Sequence, residues 1–147
     1  MASLMLTHVE FRSDRFPAFE WEEKAINPKI WGKRLADFLH ESLIARGFEI
    51  GEPFAEDWGW CLRVLHKPFP PWMGCANYGD SGFLCFIVPP KPRIWRFFRS
   101  IDTQSEVQAL RDAVDGILVE NEGIRQKRWW TYEEFNFPTH LKQSHIR

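Results

Sequence analysis

Glu49, Glu52, Glu56 and Asp57 crowd one short stretch, and the last two run directly into Trp58-Gly59-Trp60. Carboxylates this close in sequence could hold a hard cation, or divide the roles of general acid and general base. The spacing favours neither. Calcium loops alternate oxygen ligands about a glycine-enabled turn, a pattern missing here, and acids on solvated loops often only bond local backbone amides. In a strand, Trp58 and Trp60 would share a face, with Gly59 leaving the other face bare. That aromatic face could stack a planar or sugar ligand, but packing against a helix suits it better. Glu56, Asp57, Trp58, Trp60 and His66 are the residues from which a small-ligand or enzymatic pocket would be built.

A second stretch, Lys91-Pro92-Arg93-Ile94-Trp95-Arg96-Phe97-Phe98-Arg99, holds four cations and no acid, interleaved with aromatics. Single-stranded nucleic acid is bound by that combination, cations tracking phosphates while rings stack on bases. A formal net charge of −1 for the whole chain argues against a polyanionic partner, and a half-buried strand explains the same alternation. Nucleic acid is therefore the third reading, behind a protein partner and a small ligand.

The remaining chemistry-bearing residues are scattered. His40 and Glu41 are neighbours on a predicted helix and do not share a face. Cys61 and His66 would point to opposite faces of a strand, so a Cys–His nucleophile finds no support in spacing. Cys61, Cys75 and Cys85 lie in apolar surroundings without a C-x-x-C pair, as free thiols of a reducing compartment do. G-x-S-x-G, P-loop, G-x-G-x-x-G and H-E-x-x-H patterns are missing. No metal, cofactor or catalytic residue is assigned. The first residues lack the basic region of a signal peptide, and no apolar run approaches the ~20 residues of a membrane span, so a soluble cytoplasmic protein is expected.

The elements that must position these residues follow from periodicity. Leu4 to Phe11 alternates as a strand. Asn27 and Pro28 suit the cap and first position of a helix that runs to Gly47, with Ile30/Trp31, Leu35, Phe38/Leu39 and Leu43 as its apolar stripe. Phe48–Ile50, Trp58–His66 and Trp72–Tyr78 read as strands, the last two separated by the proline-rich stretch before Trp72. Phe83 to Val88 is apolar throughout, the mark of a central strand. A second helix begins at Thr103, where Glu106 completes a capping box. Residues 124–147 form an aromatic C-terminal extension carrying Trp129, Trp130, Tyr132, Phe135 and Phe137. Eight Trp and thirteen Phe in 147 residues give a single domain of this size a large apolar payload. The expectation is one α+β domain over 1–147, an antiparallel β-sheet of about four to six strands with two main helices packed on one face.

From Leu35-Ala36-Asp37-Phe38-Leu39 through Arg46-Gly47-Phe48 to Glu56-Asp57-Trp58-Gly59-Trp60, the chain resembles small bacterial α+β proteins of unassigned function. In style it is also similar to the compact, Trp-rich immunity proteins that neutralise bacterial toxins. The resemblance covers the central third, rests on a five-residue motif, and transfers no functional residue. It implies a bacterial intracellular protein. The leading expectation is a non-catalytic protein-binding module, immunity-like, whose surface draws on Trp72, Arg93, Trp95, Arg96, Trp129 and Trp130, because Trp and Arg dominate interface hot spots. An exposed aromatic tail would also suit a homodimer.

Overall fold

A computed structural model describes residues 5–67, 70–79, 81–89, 93–96, 99–102 and 104–136, with the backbone alone at 93–96, 99–102 and 136. The chain opens with β1 (Leu6–Arg12), the short α1 (Glu22–Ala25) and α2 (Lys33–Ala45). Next come β2 (Phe54–Glu56), β3 (Gly59–Arg63), β4 (Trp72–Tyr78) and β5 (Gly82–Val88). A hairpin of β6 (Arg93–Arg96) and β7 (Arg99–Asp102) precedes α3 (Gln104–Val119), β8 (Arg125–Thr131) and α4 (Tyr132–Asn136).

Six strands form one antiparallel sheet in the order β2-β3-β4-β5-β1-β8, and β6 pairs with β7 alone. The all-apolar β5 is central, between β4 and β1, as its composition requires. Alternation gives the sheet two faces. One carries Val9 and Phe11 from β1, Trp60 and Leu62 from β3, Met73 and Cys75 from β4, and Phe83, Cys85 and Ile87 from β5. These residues form a single buried cluster with Leu35, Leu39 and Leu43 of α2 and Val107, Leu110, Val114 and Ile117 of α3. Each fully buried side chain of this kind contributes about 1.5–3 kcal/mol. The other face, called here the His8 face, carries His8 and Glu10 from β1 and Phe86 from β5, with Trp72 and Tyr78 from β4, Arg63 from β3 and Trp130 from β8.

The first long helix ends as its sequence predicts but starts later. At its C-terminus, the Gly47 N–H bonds Ile44 O and the Phe48 N–H bonds Leu43 O, the two bonds of a Schellman stop. At its N-terminus, Asn27 and Pro28 lie in a turn instead of opening the helix, and Lys29 sits at φ 66°. The reason is Glu22. Fully buried, its carboxylate accepts the backbone N–H groups of Gly32 (2.8 Å) and Lys33 (2.7 Å) through one oxygen and that of Phe19 (3.1 Å) through the other. A carboxylate from the preceding element thus takes the place of a local cap.

Trp58 departs from the expected strand for a similarly local reason. Glu56 pairs with Gly59, so Asp57-Trp58 is the two-residue turn of the β2–β3 hairpin and Trp58 is not a strand residue. Gly59 sits at φ 154°, and a Cβ there would lie 2.4 Å from the Cys75 carbonyl oxygen. Trp60 therefore enters the core, while Trp58 folds over the His8 face. The aromatic extension likewise begins as a strand, since β8 pairs with β1 along the sheet edge. Thr103 and residues 137–147 lie outside the described residues.

Candidate functional site

The His8 face is built at one end by β2, β3 and β4. Trp58 stacks on Trp72 with ring centroids 6.0 Å apart and planes at 28°, and Phe86 packs against both, at 5.1 and 6.0 Å. Gly74 makes room for them: a Cβ there would lie 2.3 Å from Phe86 and 2.7 Å from Trp58. Trp72 is directly opposite Arg63 in the β3–β4 ladder, and the Arg63 guanidinium lies 4.8 Å from the centre of the Phe54 ring. Beyond it the surface sinks into an open groove of about 310 Å³ lined by Gly51, Glu52, Phe54, Arg63 and Leu65. Leu65 is 38 % exposed. Among the described residues the groove holds one cation, one acid and two apolar side chains, a set suited to non-covalent contact.

At the other end, Glu10 is 6 % exposed and accepts from the Tyr78 hydroxyl (2.5 Å) and the Trp130 indole N–H (2.8 Å). Burial, reinforced by the bond to Glu10, pushes the Tyr78 phenol well above its usual range. Arg128 lies over the Trp130 ring. His8 is held between Phe86 (5.7 Å) and Phe135 of α4 (4.8 Å), both roughly parallel to it. Phe86 thus joins the two ends of the face.

The thiols are buried. Burial raises Cys61 to about 11, and Cys75 is driven well up by its bond to Cys85, opposite it across β4–β5, and by burial. Protonated thiols are poor nucleophiles. Among the described residues, no three His, Cys, Asp or Glu side chains converge as a metal site would require. No helix among them is long and apolar enough to cross a membrane.

Of the residues marked for a partner surface, Trp72 stands in the aromatic cluster. Trp130 is 3 % exposed and bound to Glu10. Trp129 points the other way, donating its indole N–H to Asp115 of α3 at 2.8 Å, and Lys127 bonds the same carboxylate. Burial pushes Asp115 up, but the bonds from Lys127 and Trp129 outweigh it and hold the carboxyl below its ordinary value. The side chains of Arg93, Trp95 and Arg96, on β6, lie outside what the structure describes.

Of the pocket residues, Glu56 and Asp57 are exposed at the hairpin tip, Trp60 is in the core and Trp58 is on the opposite face. His66 is exposed and pairs with Glu49 at 2.5 Å. The structure unites Trp58 with Trp72, drawn from the two different sets, and does not gather either set whole. Arg63, Leu65 and Phe54 are the groove residues the sequence did not single out. The signal was present in the period-two pattern that puts an apolar Leu65 beside Arg63 on the less apolar side of β3. Compared with protein-family models, curated proteins and solved structures, the chain matches none of them.

Proposed function

We propose that this chain is a non-catalytic protein-binding module of the bacterial cytoplasm, immunity-like in kind. In this reading α2 and α3 cover the Val9 face, leaving the groove end of the His8 face to meet another protein. The groove beside Trp72 carries the proposal. Arg63 braced on Phe54, the exposed Leu65 and the stacked Trp58–Trp72 pair give it the aromatic, arginine and aliphatic composition of an interface hot spot. Arg63 and Glu52 at its rim favour a partner segment presenting an apolar anchor flanked by charge of both signs. A partner docking here would bury the ring edges that the sheet leaves half exposed.

The test is capture from bacterial lysate by the immobilised chain, comparing wild type with Arg63→Ala, Leu65→Asp and, as a control, Ile44→Asp on the exposed side of α2. One protein held in stoichiometric amount by wild type and by the Ile44 variant, but lost with both groove variants, is the expected result. Retention by both groove variants overturns this surface. Sedimentation velocity of the chain alone separates a second copy from a different protein as the occupant.

A further inference from the structure

Among the described residues, α4 is the helix over the His8 face, where Phe135 meets His8, and it packs chiefly on β1 and β8. Farther along the same face, β4 and β5 present Trp72, Ala76, Leu84, Phe86 and Val88, all half-buried. An antiparallel sheet face left to water normally turns polar at such positions. Here three successive outward positions of β5 are Leu, Phe and Val. Contiguous apolar surface of this kind marks an interaction site.

Two charges flank it. Glu56 is opposite Gly59 at the start of β3, and Arg63 is opposite Trp72 at its end, so both belong to the His8 face. Both are exposed, and neither forms an ion pair among the described residues. The stacked Trp58–Trp72 pair stands beside the interval between them. A two-fold axis through that pair exchanges the two ends of β3. Arg63 of each copy then meets Glu56 of the other, and apolar surface meets apolar surface. The face is complementary to itself.

We propose that it holds a second copy of this chain, packed sheet to sheet about a two-fold axis at the Trp58–Trp72 pair. In this role, which rests on reading the His8 face as a protein-binding surface, the second copy regulates the groove. Arg63 serves both contacts, so a partner entering the groove must first displace the second copy.

The experiment is sedimentation velocity of the purified full chain over a concentration series, with circular dichroism as the check on folding. Wild type is expected to dimerise with a Kd below about 100 μM. Arg63→Glu and Glu56→Arg each set like charges together across the axis and should weaken the dimer at least about tenfold. The double variant should restore it. Since the two side chains do not pair within one chain, restoration reports a contact between copies. Val88→Asp, directly opposite Trp72, should weaken the dimer as well; if it does not fold, the two reversals at exposed positions still decide the matter. A wild type that stays monomeric to about 500 μM, a dimer indifferent to the single reversals, or a double variant no tighter than the singles overturns the proposal. Lysate capture keeps the two readings apart. A monomeric chain that still captures its protein overturns the second copy alone, and a dimer with the reversal pattern that captures nothing overturns the groove partner alone.

Discussion

Trp130 donates its indole N–H to Glu10 at 2.8 Å across the β1–β8 pair, and both side chains are almost wholly buried. Tyr78, three strands away on β4, donates to the other oxygen of the same carboxylate. One acid thereby satisfies two large aromatic donors contributed by distant parts of the chain. Glu10→Ala leaves both without this acceptor, at about 1–3 kcal/mol for each buried group. A loss of about 2–4 kcal/mol is expected, read as a lower urea midpoint with an unchanged slope. Tyr78→Phe removes one donor while keeping the ring, and should cost less than Glu10→Ala.

Stability should fall on the alkaline side. Tyr78 ionises near pH 10 when unfolded and Cys61 near 9.0, whereas the folded protein holds Tyr78 well above its usual range and Cys61 at about 11. Above those unfolded values the unfolded chain has released protons that the native one keeps, so rising pH favours unfolding. On the alkaline side the urea midpoint is expected to begin declining near pH 9 through Cys61 and Cys75 and to steepen above pH 10 through Tyr78. Cys61→Ala should remove part of the first decline, Cys75 contributing the rest, and Tyr78→Phe the second. A profile identical in wild type and both variants rules out this assignment.

Glu22 closes the N-terminus of α2 from outside the helix. Its carboxylate takes three backbone donors, from Phe19, Gly32 and Lys33. Glu22→Ala is expected to cost about 3–5 kcal/mol, at the upper end for a single substitution, because a buried charge-assisted network is lost. Hydrogen exchange should show the first turn of α2 losing protection before its last.

Two glycines with positive φ separate conformational strain from steric clash. At Gly47, φ 98°, a Cβ meets nothing within 4 Å, so Gly47→Ala costs only the backbone strain, about 1 kcal/mol. At Gly59 the added methyl also strikes the Cys75 carbonyl, and a cost of about 3 kcal/mol or more is expected. Equal midpoints for the two variants would show that the β3–β4 approach yields freely.

The groove should respond in affinity without responding in stability. Arg63 is exposed, so Arg63→Ala should change unfolding free energy by no more than about 0.5 kcal/mol. Its effect on partner binding is expected to exceed about tenfold, or about 1.4 kcal/mol. Matching losses in both measurements would mean that Arg63 acts by supporting the sheet.

What could be read from the sequence was whatever is decided locally. The unbroken apolar run of β5 marked it as central, and Gly47 marked the end of α2, because both signals depend on neighbours within a few residues. The start of α2 is not legible locally, because its cap is Glu22, on an earlier element. Strand alternation does not extend to Trp58, because Asp57-Trp58 is a hairpin turn. β8 was hidden because Trp129 and Trp130 are adjacent aromatics serving opposite faces, one bound to Asp115 and the other to Glu10. The groove escaped notice because Phe54 and Arg63 meet only once the hairpin closes.

The strand order also sets a timetable for synthesis. β1 is made before any other strand of the sheet, yet it is hydrogen-bonded between β5 and β8, and the latter begins at Arg125. At about 5–20 residues per second, β1 waits roughly 6–24 s for β8 to be made. Throughout that interval Val9 and Phe11 have no finished sheet to enter. β1 can pair with β5 once Val88 has been made, but it stays an open sheet edge until β8 arrives to cover its other side.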